Sequence, residues 1–286
     1  MERTAADIGA LAFGALLAEV AATPKPGLVD RLTNGAHRDM DFSTFLASAC
    51  ALRHTFDAFA AAGVAGAELS PPALFPRLRE IGLAAEQAMF RATDGVNTHK
   101  GMIFSLGLLT ASAGLLAARG EKLRAEAAGA RAAAICAEAC ARASAQAAKK
   151  PAGARTKGER ICLAYGYAGA RGEAQGGYRT VLTVSLPVYR KKRARGASVN
   201  DALADTLLHL IAQTVDTNIL GRHDPAALAY AQEAARQALA AGGVGMPAGR
   251  AAILALDADF TRRWISPGGS ADLLAVTHFL YELEQL

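Results

Sequence analysis

Aromatic side chains are scarce in this sequence, at 6% of 286 residues with a single tryptophan, and only four cysteines occur. β-Branched residues are sparse as well, whereas alanine takes about 68 positions, nearly a quarter of the chain. Alanine carries the smallest helix penalty and loses no side-chain entropy, so this composition favours helices and excludes a sandwich or barrel. No glycine period is present, which excludes a collagen-like chain, and 52% apolar residues exclude disorder. The length suits one large helical core, since a chain of ~300 residues buries roughly 75% of its unfolded surface. A net charge of +5 is mild; it suits small polyanionic ligands and does not call for nucleic acid.

The cysteines are Cys50, Cys136, Cys140 and Cys162. Only Cys136 and Cys140 are neighbours, at i,i+4, and no second pair exists to complete a structural zinc site. Reduced, buried thiols in a cytoplasmic setting are the expectation. Two apolar stretches resemble membrane signals. The segment 8–22 follows Glu2 and Asp7 with a single Arg3, the wrong charge for a signal peptide. The uncharged segment 102–118 sits at the lower limit for a membrane span and carries Ser105, Gly107, Thr110, Ser112 and Gly114, so a buried core helix is expected.

Helices are predicted at 3–22, 42–62, 76–92, 101–118, 121–148, 201–220, 225–241, 249–261 and 270–285, giving an all-α, single-domain fold with polar loops at the helix ends. Residues 149–160 read as a basic linker. The run 179–189 is the one β-branched stretch and reads as extended chain or an edge strand. Residues 190–195 read as a solvated basic loop.

Against this alanine-rich background, five loops hold the unusual polar chemistry. The first runs from Thr23-Pro24-Lys25-Pro26-Gly27-Leu28-Val29-Asp30-Arg31 through Asn34, His37, Arg38, Asp39 and Asp41. In extended chain Asp39 and Asp41 point to one side, which suits a hard cation; a helix N-cap with a spare acid is the competing reading. Glu19 falls in the apolar arc of the first helix, so it needs a cation, a metal or a raised pKa; a plain salt bridge to Lys25 or Arg31 is the competing reading. The second loop is Asp94-Gly95-Val96-Asn97-Thr98-His99-Lys100-Gly101, whose glycines, lysine and helix start suit phosphate, although the P-loop pattern is missing. The third is Ala170-Arg171-Gly172-Glu173-Ala174. The fourth is Asp216-Thr217-Asn218 with Arg222; on a continuous 201–220 helix Asp205 would face water and Asp216 a site. The fifth is Ser266-Pro267-Gly268-Gly269-Ser270 with Asp272, again shaped for an anion at a helix start.

Together these segments resemble the triphosphoribosyl-dephospho-CoA synthase family. The resemblance is carried by TPKPGLVDR (23–31), NGAHRDMD (34–41), GVNTHKGMIFSLG (95–107), ARGEA (170–174), DTN (216–218) and SPGGSADLLA (266–275). It implies transfer of the triphosphoribosyl group of ATP to 3′-dephospho-CoA with release of adenine. The product is the prosthetic-group precursor of citrate lyase, or of malonate decarboxylase in a sister branch. The resemblance implies a cytoplasmic enzyme whose partners are ATP and 3′-dephospho-CoA, without nucleic acid or membrane; a homodimer is compatible with it. Mg²⁺ is the expected cofactor, with Asp39, Asp41, Asp216 and Asp272 as metal ligands. Asp39, Asp41, Asp216, Glu19, Glu173 and His37 are the expected acid–base residues. Lys25, Asp30, Arg31, Asn34, Asn97, Thr98, His99, Lys100, Arg171, Asn218, Arg222, Ser266, Gly268, Gly269 and Ser270 are expected to hold substrate, with Lys100 free of any carboxylate partner. Asp39, Asn97, Asp216 and Asp272 should then converge on one cleft. A metal-dependent ADP-ribosyl hydrolase-like enzyme, using water as acceptor, is the alternative.

Overall fold

Alanine and leucine do build helices throughout, and among the described residues no strand forms. The computed structural model describes residues 2–286. Its helices are α1 (Glu2–Ala21), α2 (Phe42–Ala65), α3 (Pro71–Ala92), α4 (Lys100–Ala118), α5 (Ala125–Lys149), α6 (Lys157–Tyr165) and α7 (Ala170–Gln175). They continue as α8 (Leu186–Ala194), α9 (Val199–Gln213), α10 (Thr217–Arg222), α11 (Pro225–Ala240), α12 (Pro247–Arg263) and α13 (Gly268–Leu283).

Helix α4 is the axle of the core. It is long and apolar enough to cross a membrane, yet 78% of that stretch is buried by its neighbours, as expected for a core helix. α1, α2, α3, α5 and α13 all pack on it. Its crossing with α2 is unusually close because small residues face each other: a Cβ on Gly63 would lie 1.9 Å from the carbonyl oxygen of Ala111, and one on Gly114 2.3 Å from that of Ala60. α1 lies against α2 and α13, and α9 brings α11 and α13 together. The starts of α4, α10 and α13 and the end of α1 thus meet at one place.

Several expectations fail for identifiable reasons. The basic linker ends early: α5 runs to Lys149, and Thr156 and Glu159 form a reciprocal capping box that starts α6. The β-branched run 179–189 is helical. A π-turn over Val181–Ser185 leads into α8, where Pro187 sits in the first turn. The widened turn suits a proline that supplies no N–H, and buried Val181, Leu186 and Tyr189 outweigh strand propensity. The run 190–195 is no solvated loop, since Arg190 pairs with Glu284 and Lys192 with Asp205. Asp205 is accordingly buried, not facing water, and also accepts the N–H of Val244. The 201–220 helix breaks after Gln213 and restarts at α10. α3 begins at Pro71 and carries Pro76 inside its first turns. Of the cysteines, Cys136 and Cys140 are buried, whereas Cys50 is exposed.

Candidate active site

The loop after α1 is folded by two aspartates. Oδ2 of Asp30 accepts the Thr23 hydroxyl (2.7 Å) and the Lys25 N–H (3.0 Å), while Oδ1 accepts the N–H groups of Leu32 and Thr33. Asp257, from α12, accepts the Gly27 N–H at 2.9 Å and the Thr33 hydroxyl at 3.2 Å. Gly27 is obligatory there: its φ is +72°, and a Cβ would lie 2.1 Å from the carbonyl oxygen of Ile265. Arg31 donates to the carbonyl of Ala21 and to Asn200, closing the end of α1. Asp30 and Arg31 therefore shape the loop without lining the cleft, and exposed Asn34 lies outside it too.

What the loop delivers is Lys25, His37 and Asp39, at the edge of a cavity of about 330 Å³. Asn97, Thr98, Lys100 and Gly101 from the start of α4 line it, as do Asn218 and Arg222 from α10 and Ser266, Gly268 and Asp272 around the start of α13. Lys157 of α6 completes the wall.

The floor is acidic. Glu19 and Lys25, 2% and 1% exposed, are paired at 2.5 Å, which decides between the two readings of Glu19 in favour of a salt bridge to Lys25. Burial raises the Glu19 pKa, with Lys25 opposing the rise. The Asp272 carboxyl, on helix α13, has no hydrogen bond to any described residue. Burial, then the charges of Glu19 and Asp216, hold its pKa well above the usual carboxylate range. Its carboxylate lies against bare Gly101, where a Cβ would come within 2.0 Å of Oδ2.

Asp216 stands directly behind this floor and not in it. It is the N-cap of α10, accepting the N–H groups of Asn218 (2.8 Å) and Ile219, and its other oxygen accepts the N–H and hydroxyl of Ser270. Burial raises its pKa, and these donors oppose the rise. The consequence bears on the reading of the last glycine turn: the N–H of Ser270 is answered by Asp216 at 2.8 Å, so it is not free for a phosphate. Ser266 and Gly268 do line the cleft, Ser266 with its hydroxyl 2.9 Å from Nε2 of His37.

The opposite wall is cationic. Arg222 donates to the carbonyl of Ala36 and toward Nδ1 of His37 (3.3 Å). Burial, then Arg222, push the His37 pKa down to about 4, so its ring is neutral near pH 7, with Nε2–H donating to Ser266. His37 therefore positions Arg222 and Ser266 and is a weak base. The Lys157 pKa is lowered by burial, then by Arg222; its stem runs over Gly221, where a Cβ would meet Cε at 2.0 Å. Neither Lys157 nor Arg222 has a carboxylate partner among the described residues, which leaves two cations facing one space. Lys100, expected to be unpaired, is bridged to Glu86 at 2.8 Å while still lining the mouth. Asn97 accepts the Lys100 N–H at 3.3 Å.

Asp41 separates from Asp39. It is the N-cap of α2, accepts the Thr44 N–H at 2.8 Å, and does not line the cleft; the capping reading describes it. Asp39 is 64% exposed at the mouth, 3.8 Å from His37. Glu173 and Arg171 are remote, on α7 against α5. There Glu173 accepts the Thr180 hydroxyl at 2.6 Å, burial raises its pKa, and Arg171 faces the Cys136–Cys140 pair. His99 is buried behind the wall, not in it. Asp39, Asn97 and Asp272 thus share the cleft, with Asp216 one residue behind. Lys157 and Asp257 carry no signal in the sequence: one sits in a basic, linker-like stretch and the other inside an ordinary helix.

Residues 5–286 match the CitG family, described as ATP:dephospho-CoA triphosphoribosyl transferase. The chain is 46% identical over 279 residues to the probable 2-(5''-triphosphoribosyl)-3'-dephosphocoenzyme-A synthase of Vibrio cholerae serotype O1 (strain M66-2), covering 98% of this chain and 88% of that protein. It is 43% identical over 266 residues to the synthase of Escherichia fergusonii, covering 93% and 87%. With the protein of the same probable function from Photobacterium profundum it shares 42% over 281 residues, covering 98% and 88%. No solved structure matches the chain. With nearly its full length matched, and with an acidic floor facing a cationic wall, the chain belongs to the ATP:dephospho-CoA triphosphoribosyl transferase family.

Proposed function

We propose that this cleft is where the triphosphoribosyl group passes from ATP to a ribose hydroxyl of 3′-dephospho-CoA, with Asp272 as the residue that moves the proton. The carrying observation is the unpartnered carboxyl of Asp272 at the floor, facing two uncompensated cations. Breaking the bond from adenine to C1′ puts positive charge on the sugar, which an adjacent carboxylate stabilises. Glu19, anchored by Lys25, serves that role. A carboxyl whose pKa is held well above the usual range is biased toward its protonated form, the form that gives a proton to the departing adenine. The attacking hydroxyl then forms its bond to C1′ and returns a proton to Asp272, so the reaction is balanced in protons. Lys157, Arg222 and Lys100 hold the triphosphate, and Lys100 exchanges Glu86 for it. The resulting product is a prosthetic-group precursor of the citrate lyase kind.

The donor set fits a Mg²⁺ that arrives with the triphosphate. No group of three or more metal-binding side chains forms among the described residues. Mg²⁺ is commonly held by one or two carboxylates plus substrate phosphates, and with Asp272 taken up by proton transfer, exposed Asp39 is the carboxylate left at the mouth to hold it. Asp41 and Asp216 are committed to backbone N–H groups. The ion would offset phosphate charge.

The test is product stoichiometry. Purified protein given MgATP and 3′-dephospho-CoA should release one adenine per CoA-linked product, and no adenine when dephospho-CoA is withheld. Adenine released without a CoA-linked product would instead indicate a hydrolase.

A further inference from the structure

Behind the cleft wall, three side chains that the transfer chemistry does not use form a hydrogen-bonded line. Thr98 Oγ1 donates to Ser48 Oγ at 2.7 Å, and Ser48 Oγ lies 2.7 Å from Nδ1 of His99. Ser48 and His99 are fully buried, whereas Thr98 lines the cleft. Nε2 of His99 has no partner among the described residues. Phe45 meets the ring edge-on at 5.0 Å and fixes its plane.

The direction of this line follows from counting donors and acceptors. The Thr98 proton is committed to Ser48. With the His99 proton on Nε2, Ser48 donates to Nδ1, and the Nε2–H alone is left unanswered. With the proton on Nδ1, Ser48 would receive two hydrogen bonds, and its own hydroxyl hydrogen and the Nε2 lone pair would both be stranded in a buried site. The first arrangement wastes less. A charged ring would also reverse the line, because both nitrogens would then donate. Burial, then the Lys25 charge, push the His99 pKa down to about 3, so the ring stays neutral.

We propose that Ser48 and His99 are positioning residues that keep the Thr98 hydroxyl turned inward, so that its oxygen faces the cleft as an acceptor for a ribose hydroxyl of bound nucleotide. An ionised phosphate offers only acceptors and cannot pair with an oxygen so presented. Thr98 therefore belongs to a sugar subsite and not to a phosphate cradle. The inference rests on the transfer reading, under which both substrates bring ribose hydroxyls to the cleft.

Two experiments test it. Two-bond ¹H–¹⁵N spectra of the intact protein read the His99 tautomer directly. The Nε2–H form is expected, unchanged from pH 8 to pH 5; the Nδ1–H form would overturn the proposal whether or not the chain makes the transfer product. Calorimetry on Thr98→Val then uses ATP, 2′,3′-dideoxy-ATP, inorganic triphosphate, and 3′-dephospho-CoA with and without its ribose hydroxyls. A loss of about tenfold is expected for a hydroxyl-bearing ligand, with none for its deoxy counterpart or for triphosphate. Whichever of ATP and dephospho-CoA shows the loss is the source of the hydroxyl. Ser48→Ala, which lets the Thr98 hydroxyl rotate, should weaken the same ligand less, and Thr98→Ser should restore it. Lost triphosphate affinity with unchanged sugar dependence would assign Thr98 to phosphate and overturn the proposal, as would parent affinity for every ligand in Thr98→Val.

Discussion

Nζ of Lys25 lies 2.5 Å from Oε1 of Glu19, and both side chains are almost wholly withdrawn from solvent. Removing one charge strands the other, which in buried pairs costs about 3–5 kcal/mol. Glu19→Gln and Lys25→Met should each lower stability by that order in denaturant unfolding, while the double variant should recover much of the loss. All three should be inactive. A double variant whose loss equals the sum of the two single losses would show that the two charges are not coupled.

Asp39 and Asp41, two residues apart, should behave differently. Asp41→Ala removes the cap of α2 and should lower the melting temperature modestly with the KM for MgATP unchanged. Asp39→Asn should leave the melting temperature alone and raise that KM severalfold. A raised KM in Asp41→Ala would return Asp41 to the site.

Lys157 rests on Gly221 and faces Arg222 without a carboxylate partner. Lys157→Met should raise the KM for ATP by an order of magnitude or more and leave stability unchanged, since it removes a repulsion together with a surface charge. Gly221→Ala, whose Cβ would meet the lysine stem, should mimic it in part. An unaltered KM in both variants would place the triphosphate elsewhere.

His37, His99 and His278 all have lowered pKa values, to about 4, 3 and 4, with burial the largest cause in each. In the unfolded chain they protonate near pH 6.5, so between pH 6.5 and 4 the unfolded state binds the extra protons and stability falls as pH falls. His278 lies off the cleft, with its Nδ1 2.9 Å from the Tyr189 hydroxyl. His278→Gln should flatten the stability–pH curve in that window by up to one proton, about 1.4 kcal/mol per pH unit. Ring titration near pH 6.5 in NMR would contradict this reading of His278.

The helical fold was legible because alanine and apolar periodicity act locally. The 179–189 run departs from its strand propensity because Val181, Leu186 and Tyr189 are buried where its helical turns pack on α13 and α9, and packing there outweighs propensity. The polar loops announced themselves as a group, but their division of labour did not. Asp30, Asp41 and Asp216 share the composition of a ligand set, yet each is consumed by backbone N–H groups, which only the folded chain reveals. Asp257 and Ser48 were invisible for the opposite reason: single polar residues in ordinary helices acquire meaning from partners roughly 50 to 230 positions away.

The most direct test of the account is Asp272→Asn. The carboxyl is half-buried near Glu19 and Asp216 with no hydrogen bond to any described residue, so an amide there breaks no contact and cannot add to their charge. The variant should melt at or above the parent temperature and bind inorganic triphosphate as the parent does. It should form the CoA-linked product at least a hundredfold more slowly, within the range typical of general acid–base catalysis. Parent-like turnover in the stable variant would contradict the assignment of proton transfer to Asp272.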